Sequence, residues 1–476
     1  MNIKKEFRIG IFYSAFGKYS NMLIQIFLNA ILSRILTPSE FGIVTVVNVF
    51  LIFFQMLADF GIGPAIIQHK NLEKEEIQQI FSFTIILAFI LGFIFMLMGY
   101  PISYFYNNDV YRPISFLLGF CVIFYTLYMV PQAVIQKRKD FKTVNIAVIG
   151  SNIINAVISI VLALLGASYY SLIFGNIARA IYLFIFYKSK VYLKFNLKFS
   201  STPLKKIYAF SKNQFLFNFL NYFSRNLDSI LIGKFFSSSA LAYYNKGYQL
   251  SLYHNQVLTS IITPVIQPIM SNYETQPNLI KRVYFKVTSL LANIGMPLSV
   301  YLFFAANDII PFLFGNQWSN SVLTFQILSI SVWIQMIQSS TGAIFQSGNR
   351  TDLLLLSGIL TTSLNIIAIA VGIMLGSIEQ VAMVIVISFT VNFFITNYLL
   401  MNKMFHSNIF ELLCVLKKPI VLAALQLIYL VLLPDLPFNH FINLVIMTLG
   451  FIVVLVLGIV ITKQQSFIKA LLVSDN

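Results

Sequence analysis

Charged residues are scarce in this sequence: they make up 10% of its 476 residues, against roughly 25% in an average soluble domain. Hydrophobic residues make up 58%. A core in water cannot hold so many apolar side chains, so the composition excludes a soluble globular protein and indicates a lipid bilayer as the solvent. The net charge of +16 therefore does not indicate nucleic-acid binding, because cytoplasmic loops of membrane proteins collect Lys and Arg.

Residues that build disulfides, metal centres and catalytic sites are equally rare. The two cysteines, Cys121 and Cys414, lie in unrelated segments and imply no disulfide framework. The four histidines are dispersed, and the predicted outer loops contain no paired carboxylates and no nucleophile beside a base. We therefore expect no metal, no cofactor and no enzymatic activity. The enzyme alternative, a membrane-embedded polymerase, would need such groups gathered at one face.

What the sequence has instead is long apolar runs, and a helix needs about 20 apolar residues to span a bilayer. The sequence predicts an all-α, polytopic membrane protein with about fourteen transmembrane helices. The runs lie near residues 10–33, 42–66, 80–100, 114–135, 144–166, 169–187, 213–232, 239–266, 287–306, 321–345, 353–375, 378–401, 419–433 and 441–462.

Basic residues are distributed unevenly between the predicted loops. Most of the 32 Lys and Arg residues fall on one side, in segments such as 137–142 and 188–212. Three fall on the other side: Arg34, Arg112 and Lys234. Because basic loops stay in the cytoplasm, this asymmetry predicts a multi-pass membrane protein with both termini cytoplasmic.

The first half of the chain resembles the middle at a spacing of about 200 residues, as expected for a parallel repeat. Residues 33–39 align with residues 233–239, Pro64 with Pro264, and residues 133–136 with residues 343–346. Parallel repeats of six helices are typical of transporters, with the substrate site between the halves. The predicted domains are therefore lobes at 1–200 and 201–402, followed by an amphipathic linker and helices 13 and 14 at 403–476.

A few charges lie inside predicted helices, where each costs about 2.5–3.5 kcal/mol at the bilayer centre. Such groups tend to face a wet cavity, and unpaired cations there need an anion, for which phosphate is well suited. We take the basic residues as candidate substrate-binding groups and the acidic ones as coupling-ion or structural groups. The basic candidates are Lys18, Arg34, Arg179, Arg225 and Lys246, and the acidic ones are Asp59 and Asp228.

Each of these residues also has a structural interpretation. Arg225 and Asp228 are three positions apart and could pair on one helix. Lys246 could extend to the headgroup region, and Asp59 could pair with Lys18 on the neighbouring helix. Asp59 or Asp228 could instead bind a coupling proton or sodium ion. Arg179 has no acidic residue near it in sequence, so it is the hardest to explain structurally.

Several segments carry a family resemblance. They are SRILTPSEFG at 33–42, DFGIG at 59–63, YFSRNLDSILIG at 222–233, YYNK at 243–246, FGNQW at 314–318 and QSGNR at 346–350. Together they resemble bacterial polysaccharide-repeat-unit flippases of the Wzx type, in the polysaccharide-transporter branch of the multidrug/oligosaccharidyl-lipid/polysaccharide exporter superfamily. One departure is the run of serines at 237–239, where the family more often has a Leu-Gly pair.

The resemblance implies two six-helix lobes, alternating access through a cationic central cavity, and a polyprenyl-diphosphate-linked oligosaccharide as cargo. The cargo would move from the cytoplasmic to the outer face of the bacterial plasma membrane for polysaccharide export. Helices 13 and 14 would form a groove for the lipid tail. Membrane lipids, a polysaccharide polymerase and chain-length machinery would be partners, and nucleic acid would not.

Two transporters of the same superfamily are alternatives. A multidrug antiporter with a cationic drug would need buried carboxylates, whereas the predicted interior has an excess of bases. The cargo of a peptidoglycan-precursor flippase also carries a diphosphate, so the interior charges do not distinguish this class from a polysaccharide-repeat-unit flippase. A lipid scramblase or a channel is a further alternative.

Overall fold

The computed structural model describes residues 3–69, 72–194, 202–270, 273–434 and 437–464. Within these ranges it contains sixteen α-helices and no β-strand, so the predicted all-α membrane fold is confirmed. A 3₁₀ turn, Asn316–Ser321, precedes α11, and a π-helical turn, Leu399–Met404, follows α14. The helices are α1 (Ile3–Ile35), α2 (Pro38–Asp59), α3 (Ile62–Gln68), α4 (Lys74–Tyr106), α5 (Tyr111–Lys137), α6 (Phe141–Leu164), α7 (Tyr170–Lys190), α8 (Thr202–Phe235), α9 (Ser238–Met270), α10 (Pro277–Phe314), α11 (Val322–Ser329), α12 (Val332–Ser347), α13 (Thr351–Leu375), α14 (Ile378–Tyr398), α15 (Ile409–Leu432) and α16 (His440–Ile461).

Ten helices in the described part of the chain are long and apolar enough to cross a membrane, with α2 and α3 counted as one. The bent pair α11–α12 raises the number to eleven. The chain is therefore a multi-pass membrane protein, but the predicted count of about fourteen spans is not confirmed. Three other long helices, α1, α8 and α9, are not among the ten. Polar residues along α8, such as Lys212, Asn218 and Asp228, reduce its apolar character.

The predicted repeat is visible at the first helix junction of each half. The Thr37 hydroxyl accepts a hydrogen bond from the Glu40 N–H at 3.3 Å, at the start of α2. The Ser237 hydroxyl accepts one from the Ala240 N–H at 3.0 Å, at the start of α9. Both helices therefore begin on a hydroxyl N-cap, and the departure from the family pattern at 237–239 preserves this cap.

The first turns of α2 and α9 lie against each other. The Ser39 and Ser238 hydroxyl oxygens are 3.4 Å apart. Gly42 lies so close to the Ser238 backbone that a Cβ added to it would be 1.8 Å from the Ser238 carbonyl oxygen. Because only glycine fits at such a distance, the contact depends on this residue.

The turn between α5 and α6 recurs between α12 and α13, at an offset of 210 positions (139 against 349). Lys139 and Asn349 both adopt left-handed conformations, with φ of 59° and 54°. The N–H of each donates to a carbonyl three residues back, at 2.8 and 3.1 Å. Gly166 after α6 and Gly376 after α13 are also left-handed, with φ of 81° and 98°. The local geometry thus repeats as the sequence alignment predicts.

One long apolar segment is interrupted after Asp59. Phe60 and Gly61 follow with φ of 36° and 71°, and α3 then begins. Gly61 tolerates this conformation because it has no Cβ. The corresponding part of α9 runs without interruption through Ile261 and Pro264, where the sequence has no glycine pair.

A second interruption separates α11 from α12. The segment formed by the 3₁₀ turn and α11 makes an angle of 54° with α12. The hydroxyls of Ser329 and Ser331 donate to the carbonyls of Phe325 and Leu328 at 2.6 and 2.7 Å. Such side-chain bonds compete with the helical ladder. The predicted single run at 321–345 is therefore two helices.

The chain divides into two compact units, Met1–Ala242 and Tyr243–Asn476. In the first unit α5 packs against α2, α3, α4, α6 and α7. In the second unit α10 packs against α11, α12, α15 and α16. The division into lobes at 1–200 and 201–402 with an addition at 403–476 stays a prediction, as does the sidedness of the loops.

Candidate functional site

Arg179 lies at the middle of α7, so about 15 Å of helix separates it from either end. Its side chain is half-buried. Among the described side chains, no carboxylate forms an ion pair with it. A membrane-spanning helix therefore carries a cation at mid-depth without a described acidic partner.

Three tyrosines of α5 and α7 lie within electrostatic range of this cation. Arg179 lies close enough to Tyr125, Tyr128 and Tyr187 for its charge to act on their hydroxyl groups. The ring of Tyr128 is 5.0 Å from that of Tyr125 and 5.8 Å from that of Tyr187. The Tyr187 hydroxyl is buried and has no hydrogen-bond partner in the described part of the chain. The guanidinium and these hydroxyl donors thus belong to two helices of the first unit, α5 and α7, that pack against each other, and both kinds of group can donate to an anion.

Asp59 lies at the break between α2 and α3. Its carboxylate oxygen Oδ1 accepts a hydrogen bond from the Gly63 N–H at 3.4 Å. The Gly61 carbonyl accepts one from the Ser211 hydroxyl of α8 at 3.3 Å. The suggested pairing with Lys18 does not form, because the ion pairs of the described residues include neither side chain. Asp59 therefore caps the start of α3 instead.

Two candidate cations lie on α1. Lys18 and Arg34 are both exposed, and Arg34 belongs to the last turn of the helix. A cation at a helix C-terminus interacts favourably with the helix dipole. Arg34 can therefore stabilise the end of α1, a structural role that was not predicted from the sequence.

Lys246 occupies an aromatic cage in the second unit. Its ammonium lies 4.7 Å from the ring centroid of Phe314 and 5.0 Å from that of Trp318. The residue is only 4% exposed, so the suggested extension to the headgroup region does not occur. Cation–π contacts of this kind stabilise a desolvated ammonium by about 2 kcal/mol. The family segments at 243–246 and 314–318 meet in this cage.

The remaining candidates are on α8. Asp228 is 5% exposed, and its carboxylate accepts a hydrogen bond from the Ser229 N–H at 2.7 Å. The Arg225 side chain lies outside the described residues. The suggested pair of Arg225 with Asp228 therefore stays a prediction.

Hydrogen bonds between amide and hydroxyl side chains link neighbouring membrane helices within each unit. The sequence did not predict these bonds. Asn152 donates to Asn21 at 2.8 Å, linking α6 to α1, and Asn155 donates to Asn176 of α7 at 3.3 Å. In the second unit Ser388 donates to Asn365 at 2.9 Å, and Thr361 to Asn392 at 2.7 Å. Such bonds hold transmembrane helices together. Their signal in the sequence was the presence of Asn within apolar runs.

The structure thus places Asp59 at the α2–α3 break and Arg179 on α7, on helices that both pack against α5. It places Lys18 and Arg34 on α1, and Lys246 in the second unit. Among the described residues, no group of three or more His, Cys, Asp or Glu side chains could hold a metal ion.

The chain matches a known protein family. The model of a family described as "Polysaccharide biosynthesis protein" matches residues 31–323. This range covers more than half of the chain, and it includes Arg34, Asp59, Arg179 and Lys246.

Two relatives come from bacterial glycan synthesis. The teichuronic acid biosynthesis protein TuaB of Bacillus subtilis (strain 168) is 25% identical over 408 residues, which cover 84% of this chain and 83% of TuaB. The lipopolysaccharide biosynthesis protein WzxC of Escherichia coli (strain K12) is 22% identical over 375 residues, or 78% of this chain and 76% of WzxC.

A solved structure shares the fold. The lipid II flippase MurJ in an inward closed conformation superposes with a TM-score of 0.73. The superposition covers 97% of this chain and 100% of MurJ, at 12% sequence identity. At that identity the likeness shows the fold alone.

Proposed function

Because the chain belongs to the polysaccharide biosynthesis protein family, we propose that it flips a polyprenyl-diphosphate-linked oligosaccharide repeat unit across the plasma membrane for polysaccharide export. The resemblance inferred from the sequence motifs is confirmed, and the chain is a membrane transporter rather than an enzyme. The identity of the cargo and the direction of transport are the proposed part.

The observation that carries the proposal is the Arg179 site. A cation at mid-depth costs about 2.5–3.5 kcal/mol on insertion scales, and no described carboxylate offsets this cost by pairing with it. A bound diphosphate would supply the missing charge, with the guanidinium contacting it bidentately. The hydroxyls of Tyr125, Tyr128 and Tyr187 would supply further donors.

The other candidate residues have proposed places along the path. Lys18 and Arg34 on α1 and Arg225 on α8 would contact the diphosphate before or after Arg179. Lys246 would join them only if its ammonium left the rings of Phe314 and Trp318. An inside-negative potential would favour the outward movement of each negative charge by about 2.3 kcal/mol per 100 mV. Membrane lipids surround this path, and a polymerase would consume the flipped unit.

The relatives support this class of cargo. TuaB and WzxC are named for teichuronic acid and lipopolysaccharide biosynthesis, and MurJ is named as the flippase of lipid II. We extend to this chain only the chemistry that such cargoes share, a lipid-linked saccharide.

Deletion of the gene, with analysis of lipid-linked saccharides, tests the proposal. The deletion strain should accumulate a lipid-linked oligosaccharide on the cytoplasmic face and should lose the corresponding surface polysaccharide. Plasmid-borne wild type should restore export, Arg179→Lys should restore part of it, and Arg179→Ala should restore none while reaching the membrane in equal amount.

The outcome separates the proposal from its alternatives. Accumulation of a peptidoglycan precursor would identify the other flippase class, and unchanged lipid-linked saccharides with increased drug sensitivity would identify a multidrug antiporter. Full export by Arg179→Ala would exclude the cationic site even if the cargo were correct.

A further inference from the structure

One face of α12, together with its N-cap residue, consists only of amide, hydroxyl and glycine residues. At 3.6 residues per turn, the six members of this polar face fall within an arc of about 100°. They carry neither a charge nor an apolar side chain, and five of them are at least partly exposed. Other residues of the helix, such as Ile334, Met336 and Ile337, are buried. The members of the polar face are Ser331, Gln335, Gln338, Ser339, Gly342 and Gln346.

The middle of the polar face has room beside it and a hydrogen-bond donor to offer. Among the described residues, a Cβ added to Gly342 would meet only the Leu354 side chain of α13, at 3.9 Å. The Gln338 Nε2 atom is buried, yet it has no hydrogen-bond partner in the part of the chain that the structure describes. A ligand at this face would therefore find both space and an amide donor.

The polar face is unsuited to contact with hydrocarbon. Helix α12 belongs to the bent pair that can count as one membrane span, and an amide without hydrogen-bond partners is costly in lipid. Local bonds satisfy part of the face, since Gln335 Nε2 donates to Ser331 Oγ at 3.0 Å. The Ser339 hydroxyl donates to the Met336 carbonyl at 2.6 Å. Because the Gln338 donor is not satisfied in this way, the face must adjoin water or a polar ligand.

The internal repeat places different chemistry at the equivalent positions of the first unit. At the offset of 210 positions that relates the α5–α6 turn to the α12–α13 turn, Gln338 of α12 corresponds to Tyr128 of α5. At the same offset Phe389 of α14 corresponds to Arg179 of α7. Helix α5 packs against α7, and α12 packs against α14. At these positions the first unit thus has a phenol and a cation, whereas the second has a neutral amide and an apolar ring.

The polar face has the chemistry of a site for a neutral, hydroxyl-rich ligand. Helix α12 carries no charged residue, so it offers no counter-charge to a diphosphate and no carboxylate to a metal ion. A primary amide has two N–H donors and a carbonyl acceptor, and sugar hydroxyls both donate and accept. We propose that the polar face of α12 binds the saccharide part of the lipid-linked cargo through Gln335 and Gln338, which rests on the proposed function and adds a glycan-binding site to it.

The informative variant is Gln335→Leu with Gln338→Leu. Leucine is a strong helix former, so α12 persists while both amides are lost, and the loss of two hydrogen bonds corresponds to roughly tenfold in affinity. A second variant, Gly342→Leu, keeps both amides but fills the space beside them, and it replaces a poor helix former by a good one. The matched control is Ser340→Ala, because Ser340 is buried and its hydroxyl donates to the Ile337 carbonyl at 2.8 Å.

The test compares two probes on the full-length, detergent-purified chain by microscale thermophoresis. The first probe is undecaprenyl diphosphate, and the second is the lipid-linked oligosaccharide extracted from the deletion strain. Wild type and Ser340→Ala should bind the oligosaccharide-bearing lipid at least about tenfold more tightly than undecaprenyl diphosphate. The double variant and Gly342→Leu should lower this preference by roughly tenfold and should keep the wild-type affinity for undecaprenyl diphosphate.

The outcomes distinguish the glycan site from the proposed function. If wild type binds both probes equally, or if the double variant keeps the wild-type preference, the glycan site is wrong while the diphosphate site stands. If wild type binds neither probe, the proposed cargo is wrong and the glycan site with it. A deletion strain that accumulates no lipid-linked saccharide would have the same meaning.

Discussion

Replacing Gly42 by alanine should separate the first turns of α2 and α9. The added Cβ would lie 1.8 Å from the carbonyl oxygen, 2.3 Å from the carbonyl carbon and 2.9 Å from the Cα of Ser238. All three are backbone atoms, so no side-chain rotation relieves the clash. The helices must separate by roughly 1.5 Å to reach an ordinary contact, and overpacking of this kind costs about 1–3 kcal/mol.

The matched control is Gly358→Ala in α13. A Cβ there would meet nothing within 4 Å, and alanine favours a helix over glycine by about 0.5–1 kcal/mol. Thermal unfolding of the purified variants in detergent should show a lower Tm for Gly42→Ala than for wild type, and an equal or higher Tm for Gly358→Ala. If Gly42→Ala were as stable as Gly358→Ala, the close contact between α2 and α9 would be refuted.

Two further predictions concern the helix ends. In a background without the two native cysteines, Ser39→Cys with Ser238→Cys should form a disulfide under mild oxidation, because the two hydroxyls are 3.4 Å apart. Thiol titration measures this, with Ser39→Cys alone as control, and two free thiols would contradict the contact. Asp140→Ala should lower the free energy of unfolding by about 1 kcal/mol through loss of the α6 N-cap, whereas Asp140→Ser should not. Hydrogen bonds from Thr143 hold the pKa of Asp140 below its usual value, so this contribution should persist at neutral pH and vanish as pH falls through that lowered pKa. An equal effect of both substitutions would contradict the capping role.

The helices could be predicted because an apolar run long enough to span a bilayer has few alternatives. The break after Asp59 was foreseeable in part, since Gly61, Gly63 and Pro64 follow it. The break between α11 and α12 was not, because no Gly or Pro marks it. There the hydroxyls of Ser329 and Ser331 bond to backbone carbonyls, and Ser299 of α10 accepts the Trp333 N–H at 3.1 Å. That last partner is remote in sequence.

The candidate site, too, could be predicted from the sequence only in part. Arg179 could be found from sequence because a lone cation in an apolar run is conspicuous. Its tyrosine neighbours could not, since Tyr125 and Tyr128 belong to another helix and tyrosine is common throughout this chain. Lys246 was expected to face a cavity, yet it lies between Phe314 and Trp318. Periodicity along one helix gives no information about rings contributed by a turn some seventy residues away.

Flipping of a lipid-linked oligosaccharide can be measured with the purified protein. The lipid-linked oligosaccharide that accumulates in the deletion strain would be reconstituted into vesicles with and without the protein. A membrane-impermeable glycan-modifying reagent added outside then reports the accessible fraction over time. Wild type should raise this fraction above that of protein-free vesicles, and Arg179→Ala should not. If wild type left the accessible fraction unchanged, the proposed flippase activity would be wrong.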